Sequence, residues 1–371
     1  MRLSRREFSR LSILGGLATL NESPAADMIP DDLSVAADES LRETSTEAQS
    51  ETPEKQEEAD TVRVAIVKTA NREEGVARAV ALLGEINFSR KDVFLKCSYN
   101  SPDAFPATTH PYALGAMVRM LRGKGAGKVT LVERSGMGRT REVLEKLGVF
   151  AALEKLEAPF CLLDELPAEE WRYIAQDRSH WPKGMEFPRF LTQDTCIVQL
   201  CNLKTHRFGG RFSASLKNSI GLIAKYAASP ESGLTEKDEK NAGRGWNYMK
   251  DLHSSSYQSE MIAEANQTYS PELIVMDATE VFVSGGPEKG VTAAPEIIAA
   301  SCDRVAIDAV GFTILKYAGA QMSGPGKIFE QPQIKRAVQL NLGARSPEMI
   351  NVVSDDNAGR LLASRLKELL S

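Results

Sequence analysis

The sequence is poor in the residues that build metal clusters and disulfide frameworks. Its 371 residues contain five cysteines and four histidines. No Cys-x-x-Cys pair occurs, which excludes a ferredoxin-type iron–sulfur module and a zinc ribbon. Cys196 and Cys201 lie five residues apart, so in one strand they face opposite sides and cannot bridge each other. We expect all five cysteines to be small buried side chains, with a reactive thiol as the alternative for Cys97.

Sequence motifs of several common enzyme classes are also missing. No Gly-x-Ser-x-Gly elbow is present, which counts against an ordinary serine hydrolase. Residues 135–138 have neither the Gly-x-Gly-x-x-Gly nor the Walker spacing, so they predict a tight turn rather than a phosphate loop. The apolar stretches, including residues 11–20, are too short to cross a bilayer, and no permanent membrane span is expected.

Charge is distributed unevenly along the chain. Residues 1–20 contain four arginines and one glutamate, a net charge of +3. Residues 21–60 contain thirteen acidic side chains against two basic ones, a net charge of −11. Because the whole chain carries −5, the body from residue 61 carries +3. A slightly basic body suits a small anionic ligand but is far below the charge of a nucleic-acid-binding surface, so no nucleic-acid partner is expected.

The N-terminus has the three parts of a cleavable export signal. Four positions match the twin-arginine export motif: Ser4, Arg5, Arg6 and Phe8. Ser9 replaces the usual leucine, and a weakly apolar stretch and small residues follow at 11–20 and 23–26. We expect residues 1–26 to be a signal that directs the protein to the twin-arginine export machinery and to the periplasm or another extracytoplasmic compartment. A basic amphipathic start of a cytosolic protein is the alternative.

Residues 27–60 are predicted to be a disordered tether. They are rich in Glu, Asp, Ser, Thr and Ala and nearly free of aromatic residues. Such a segment cannot bury enough apolar surface to offset the entropy lost on ordering. The folded domain is therefore expected at residues 61–371.

Strands and helices alternate from residue 61 onward. Apolar strands are predicted at 62–68, 92–96, 128–132, 196–201, 273–277 and 297–301. Helices are predicted at 73–84, 112–122, 305–317, 333–340 and 358–370, with Thr108 or Thr109 as the N-cap of the second. This alternation predicts an α/β fold with a mostly parallel, Rossmann-like sheet and helices on both faces. Residues 150–190 are predicted to be an irregular insertion over one sheet edge, and residues 229–257 a lid or long loop.

One stretch, residues 195–226, concentrates polar side chains between a strand and a helix. Lys204, Thr205 and His206 follow the strand, and Lys217 and Asn218 open the predicted helix. Parallel-sheet proteins place ligands at such points, because strand-end side chains and helix-start N–H groups converge there. We therefore expect this stretch to form one wall of a pocket.

Each candidate residue has an expected role. Lys204 and Lys217, with helix-start amides, would hold a carboxylate or phosphate, and His206 would transfer a proton. Five further residues are expected to bind the ligand: Asn218, Thr109, His110, Gly285 and Gly286. Asp277 at a strand end and His253 in a polar segment are candidates for a divalent metal, with loop capping as the alternative for Asp277.

The order of these motifs resembles the family called domain of unknown function 362. The motifs are Leu203-Lys204-Thr205-His206, Ser215-Leu216-Lys217-Asn218 with Gly221, Asp277-Ala278, and Gly285-Gly286-Pro287, with Thr109-His110-Pro111 and Asp303-Arg304-Val305-Ala306-Ile307-Asp308 in agreement. The resemblance covers roughly residues 62–320 and implies an α/β fold with a shared pocket, but no established reaction. The family often has Lys-Pro-Asn after its second strand, where this chain has Lys96-Cys97-Ser98. Many relatives carry a ferredoxin-like module whose cysteines this chain lacks.

Three functions are compatible with these observations. The first is an exported enzyme that acts on a small anion by acid–base chemistry, with a metal or a cofactor acquired before export as a variant. The second is a non-catalytic extracytoplasmic binding protein that uses the same pocket. The third is an accessory or maturation factor whose acidic tether contacts a partner protein.

Overall fold

The computed structural model describes residues 61–175, 179–207, 211–237, 243–322 and 324–371. From residue 61 onward the chain forms one compact unit. The predicted signal at 1–26 and the predicted tether at 27–60 lie outside the described residues. None of the helices in the described ranges combines the length and the apolar character needed to span a bilayer.

The described residues form fourteen strands and ten α-helices. The strands are β1 (Val62–Lys68), β2 (Val93–Lys96), β3 (Val129–Glu133), β4 (Phe160–Leu162), β5 (Trp171–Ile174), β6 (Met185–Pro188), β7 (Ile197–Asn202), β8 (Lys204–Thr205), β9 (Phe212–Ser213), β10 (Pro271–Ala278), β11 (Val281–Gly285), β12 (Gly290–Ala293), β13 (Ile297–Ser301) and β14 (Ile350–Val353). The helices are α1 (Arg72–Leu82), α2 (Pro111–Gly123), α3 (Thr140–Lys146), α4 (Val149–Lys155), α5 (Ser215–Asn218), α6 (Tyr248–Ser254), α7 (Gln258–Glu264), α8 (Arg304–Tyr317), α9 (Pro332–Gln339) and α10 (Asn357–Leu370).

Eight of the strands form one sheet in the order β14-β1-β13-β10-β7-β2-β3-β4. All neighbouring strands run parallel except β13, which is antiparallel to both β1 and β10. Every residue of β2, β3, β7 and β13 is buried, as expected for central strands covered on both faces. The predicted α/β fold with a mostly parallel sheet is confirmed.

The two faces of the sheet pack against different helices. Helices α1 and α2 share a core with Leu95, Val198 and Val275. Successive strand residues point to opposite faces, so Met276 faces the other way, where its sulfur approaches Gly311 of α8. Twelve of the fourteen residues of α8 are buried, which makes it the central helix of this second face.

The sheet changes its direction of winding between β2 and β7. These strands are parallel neighbours, with Leu95 opposite Val198 and Lys96 opposite Gln199. From β2 the chain continues to β3 on one side, whereas from β7 it returns to the sheet at β10 on the other side. Two connections that leave in opposite directions open a crevice at the carboxyl ends of the strands, which is the usual ligand position in open α/β sheets.

Several local predictions differ from the structure. Helix α2 is capped by His110, whose Nδ1 accepts from the N–H of Tyr112 at 3.1 Å. Thr108 and Thr109 do not cap it, because their hydroxyls bond within the preceding loop, to Asp103 O and Ser98 N. The predicted irregular region 150–190 contains the edge strand β4 and the hairpin β5–β6, and α6 lies within the predicted lid.

The helix predicted to start near Lys217 is much shorter than its apolar pattern suggests. Four residues form α5, and residues 219–222 form a 3₁₀ turn that ends in extended backbone at Ile223. The guanidinium of Arg134 donates hydrogen bonds to the carbonyl oxygens of Ile220 and Ile223, each at 2.6 Å. These carbonyls would otherwise accept from later N–H groups of a continuing α-helix.

We expect Gly75→Ala to destabilise the fold, although alanine is the better helix former. A Cβ at Gly75 of α1 would lie 2.6 Å from Ile298 Cγ1 of β13 and 2.9 Å from Thr69 Cγ2. Overpacking of this kind costs about 1–3 kcal/mol. In the control, Gly123→Ala in α2, the Cβ meets no atom within 4 Å. That variant should be neutral or gain up to ~1 kcal/mol. Urea unfolding measures both, and equal effects would contradict the tight contact of α1 with β13.

Candidate functional site

A cavity of about 100 Å³ lies at the carboxyl ends of the central strands. A single water needs about 10–15 Å³ of such space, so this cavity has room for a molecule of several heavy atoms. Five of the residues singled out from the sequence line it: Lys204, His206, Lys217, Asn218 and His253. The cavity also contacts Lys96 and Asn202, the last residues of β2 and β7, and therefore occupies the crevice where the sheet changes direction.

A buried ion pair that the sequence reasoning missed forms the floor of the cavity. Lys96 Nζ lies 2.7 Å from Glu133 Oε1, and both side chains are at most 2% exposed. The ammonium also donates to Cys97 O at 2.5 Å, and Glu133 accepts from the N–H groups of Tyr99 and Arg134 at 3.2 and 3.0 Å. Burial raises the pKa of Glu133, and the Lys96 charge opposes that rise. The Glu133 carboxylate therefore already has an ion-pair partner and two hydrogen-bond donors in the ligand-free protein.

The segment that carries Lys217 is held from both ends by buried charged side chains. At its start, Asp308 of α8 accepts from Ser215 N at 2.7 Å and from Leu216 N at 3.2 Å. At its end, Arg134 binds the carbonyl groups of Ile220 and Ile223. The helix-start amides expected to bind the anion are therefore already occupied by Asp308, and that expectation is wrong.

The middle of the same segment packs against the ion pair. Asn218 Oδ1 lies 3.4 Å from Lys96 Nζ, and its Nδ2 donates to Lys96 O at 3.3 Å. Gly221 is so close that a Cβ there would lie 2.7 Å from Lys96 Cε and 2.8 Å from Lys96 Nζ. Asn218, predicted as a ligand-binding residue, thus lines the cavity and also fixes the Lys217 segment to β2.

Two of the cavity lysines have pKa values close to neutrality. Burial lowers the pKa of Lys204 to about 8, and its ammonium donates to Ala107 O at 2.5 Å. Lys217 is only partly buried, but its side chain lines the cavity. Desolvation, together with the charge of Lys204, lowers the pKa of Lys217 to about 7. Both side chains therefore change charge in the range where proton transfer is useful to an enzyme.

Thr109 and His110 support the cavity wall instead of lining it. The Thr109 hydroxyl accepts from Ser98 N at 2.9 Å and donates to Asn202 Oδ1 at 3.3 Å. The Asn202 amide in turn donates to Thr108 O at 2.9 Å. His110 caps α2, and burial, helped by Arg72, lowers its pKa. These contacts fix the loop between β2 and α2 against the end of β7.

Of the two predicted metal ligands, only His253 lines the cavity. Its Nδ1 lies 2.6 Å from Met249 O, within α6. Asp277 is buried and accepts from Arg72 Nε at 2.7 Å and from the Thr279 hydroxyl at 2.7 Å. In the described ranges, no group of three His, Cys, Asp or Glu side chains is arranged to hold a metal ion.

Gly285 and Gly286 form the turn between β11 and β12. The carbonyl of Gly286 accepts from Arg207 N at 3.3 Å, and Gly286 has φ +70°. A Cβ there would lie 2.0 Å from Thr205 O, so only glycine permits this approach to the strand that carries Lys204. Gly285 also lines a second cavity of about 520 Å³, which shares His206 with the first.

The cysteines differ from expectation at one position. Four are buried, but Cys302 is exposed because it follows the end of β13 in the turn before α8. Cys97 is fully buried, and burial raises the pKa of its thiol, so the alternative of a reactive thiol at this position is wrong.

Lys96 and Glu133 could have been found from the sequence by the rule that singled out Asp277. Each is a charged residue at the end of a short apolar strand, and such residues meet at one edge of a parallel sheet. Arg134, adjacent to Glu133, carried no signal of its own, because its role depends on carbonyl groups about ninety positions further along.

The fold and the site together define a parallel α/β protein with a lysine-rich cavity at the point where its sheet changes direction. A family model described as "Domain of unknown function (DUF362)" matches residues 93–313, from the start of β2 into α8. The match spans more than half of the chain, and the chain belongs to this family. The matched region includes Lys96, Glu133, Lys204 and Lys217. A search of curated proteins found no match.

We expect Glu133→Gln to destabilise the protein by about 3–5 kcal/mol, because it leaves the Lys96 ammonium buried without its carboxylate. The double variant Lys96→Met/Glu133→Leu should recover most of this loss, since it removes both charges. Glu368→Gln breaks the exposed Arg365–Glu368 pair and should change stability by less than ~1 kcal/mol. Urea unfolding of the three variants is the measurement. A loss for Glu133→Gln no larger than that of the exposed control would contradict a charged buried pair.

Proposed function

We propose that the cavity binds a small anion, a carboxylate or a phosphate, and that the protein is an enzyme that acts on it by acid–base chemistry. The observation that carries the proposal is the charge of the cavity. Its described lining contains Lys96, Lys204, Lys217 and Arg134 but one acidic side chain, Glu133, which is paired with Lys96. A lining in which basic side chains outnumber acidic ones favours an anion.

The lowered pKa values support the same conclusion. Burial and mutual repulsion disfavour the charged forms of Lys204 and Lys217 in the ligand-free protein. An anion within about 4–6 Å reverses that effect and raises the pKa of both groups. Binding is therefore coupled to proton uptake at a pH between the ligand-free and the ligand-bound pKa values.

Acid–base chemistry follows from the same groups. A lysine with a pKa of about 7 is a proton donor in some molecules and an acceptor in others at neutral pH. His206 and His253 line the same cavity. We propose Lys204 as the residue that binds the anion, with Lys217 and His206 as the proton-transferring pair.

Affinity for inorganic phosphate and for succinate is expected to fall as the pH rises from about 7 to about 9, because Lys217 and then Lys204 lose their charge. Calorimetry in two buffers of different ionisation enthalpy should show proton uptake on binding. Lys217→Met should weaken binding by about 10–100-fold, the equivalent of about 1.5–3 kcal/mol for a hydrogen bond to a charged group.

The matched control is Lys155→Met on the exposed face of α4, which should leave the affinity unchanged. Affinity that does not vary with pH, or that Lys217→Met leaves intact, would contradict the anion site. Catalysis is tested separately by following a panel of small carboxylates and phosphate esters by NMR. His206→Ala should retain phosphate binding and lose turnover. If phosphate binds and none of the panel is turned over, the non-catalytic binding protein becomes the better description.

We also propose that the protein is exported by the twin-arginine route. The support is the sequence of residues 1–26, with Arg5 and Arg6 in the motif positions. Replacing both arginines with lysine should retain the protein in the cytoplasm at its full mass. The unaltered protein should be recovered from the extracytoplasmic fraction with a shorter N-terminus. Identical fractionation of the two proteins would refute this route.

A further inference from the structure

We propose that Lys225 and Arg244 form a second anion subsite at the rim of the cavity, and that the ligand is a short molecule with an anionic group at each end. This inference rests on the proposed anion site and narrows its ligand from a single anion to a dianion such as a dicarboxylate. It depends on where the chain places Lys225, on how Arg244 is held beside it, and on the charges around both.

Lys225 lies between two elements that line the cavity. Its Nζ donates to the carbonyl oxygen of Gly136, a lining residue in the loop after β3, at 3.2 Å. Its own carbonyl oxygen accepts from Tyr248 N at 3.1 Å, at the start of α6, and the next residue of that helix, Met249, lines the cavity. The side chain of Lys225 is only partly buried. Its ammonium therefore lies at the edge of the cavity, between the lining and the solvent.

Arg244 is held beside Lys225 by an aromatic ring. The Cζ atom of Arg244 lies 4.8 Å from the centre of the Tyr226 ring, and Lys225 Nζ lies 5.9 Å from the same centre. Both distances are within the range of about 6 Å for a cation–π contact. The backbone of Tyr226 also pairs with that of Asn247, which brings the segment that carries Arg244 alongside. One ring thus places two cations next to each other at the rim.

The charges at the rim favour an anion. Across the part of the chain that the structure describes, neither Lys225 nor Arg244 forms an ion pair. Burial, together with the charges of Arg134 and Arg244, lowers the pKa of Lys225. Asp164 opposes this effect, but its carboxylate accepts from Thr140 N at 3.1 Å, at the start of α3. An anionic group at the rim would relieve the repulsion among these cations.

The cavity and the rim together suit the two ends of one short molecule. Inside the cavity, the described hydrogen bond of Lys204 Nζ is to Ala107 O. An ammonium has three donors, so two remain for the first anionic group. Ile220 and Leu252 provide an apolar lining for the alkyl chain between the two groups. That chain is short, because a cavity of about 100 Å³ has room for only several heavy atoms.

The test compares monocarboxylates with dicarboxylates of the same length by calorimetry on the full chain, at neutral pH and constant ionic strength. The pairs are butyrate with succinate, pentanoate with glutarate, and hexanoate with adipate. Two equivalent ends alone give the dicarboxylate a statistical factor of about two. The expected result is a gain of about 5–10-fold at one length and a smaller gain at the other two, because each partly exposed ion pair contributes up to about fivefold.

Rim variants assign this gain to its residues. Lys225→Met and Arg244→Gln should each reduce the gain by about 2–5-fold and change the affinity for the monocarboxylate much less. Lys225→Arg keeps the positive charge and should retain most of the gain. The matched control, Lys155→Met on the exposed face of α4, should leave the gain unchanged. If Lys225→Met loses monocarboxylate binding as well, Arg244→Gln decides the question, since the described contact of its side chain is with Tyr226.

The outcomes separate this inference from the proposed function. Monocarboxylates and inorganic phosphate that bind, with no gain beyond the statistical factor at any length, would overturn the rim subsite and leave the anion site in place. An equal gain at all three lengths would indicate general attraction of a dianion, and a gain that persists in both rim variants would locate the second group elsewhere; either result overturns the subsite. If neither phosphate nor any carboxylate binds, the proposed function fails together with the subsite.

Discussion

The buried ion pair between Lys96 and Glu133 is the contact on which the geometry of the site depends. It joins the carboxyl ends of two parallel strands, β2 and β3, at a position where neither side chain reaches solvent. A buried pair of this kind is stable only when further hydrogen bonds satisfy both charges. Here they come from Cys97 O on the lysine side and from two backbone N–H groups on the carboxylate side. The pair therefore fixes the backbone that leaves both strands, in addition to the strands themselves.

The Lys217 segment owes its conformation to this pair and to its neighbours, and not to helical propensity. A helix of four residues is far below the length at which helices are stable by themselves. Three buried charged residues replace that missing stability. Asp308 binds the first N–H groups of the segment, and Arg134 binds its last carbonyls. Lys96 contacts Asn218 and occupies the space that a side chain at Gly221 would fill. Because these residues come from α8, β2 and the loop after β3, three separate elements contribute to the placement of one lysine.

The sequence was sufficient for the fold, and it indicated the part of the cavity lining that lies in one stretch. Apolar strands and amphipathic helices have strong periodic patterns, and the predicted parallel sheet follows from their alternation. Lys204, His206, Lys217 and Asn218 were found because they are close in sequence. The partners that position them were not found, since a hydrogen bond such as that of Arg134 to Ile220 depends on how distant segments pack. The ion pair of Asp277 with Arg72 was missed for the same reason, because Arg72 lies more than two hundred positions earlier in the chain.

In this arrangement, burial disfavours the charged forms of two cavity lysines, Lys204 and Lys217. The folded-state pKa values of about 7 and about 8 lie below the ordinary lysine value of about 10.4. Between these values the unfolded chain binds more protons than the folded one, so these two groups make folding more favourable as the pH rises through that window. An anion in the cavity raises both pKa values and removes this pH dependence, because the charged form is then stabilised in the folded protein. Occupancy, protonation and stability are thus linked through the same two side chains. An apolar cavity at this place would be easier to fold, but it would lack any means to hold an anion or to exchange protons with it.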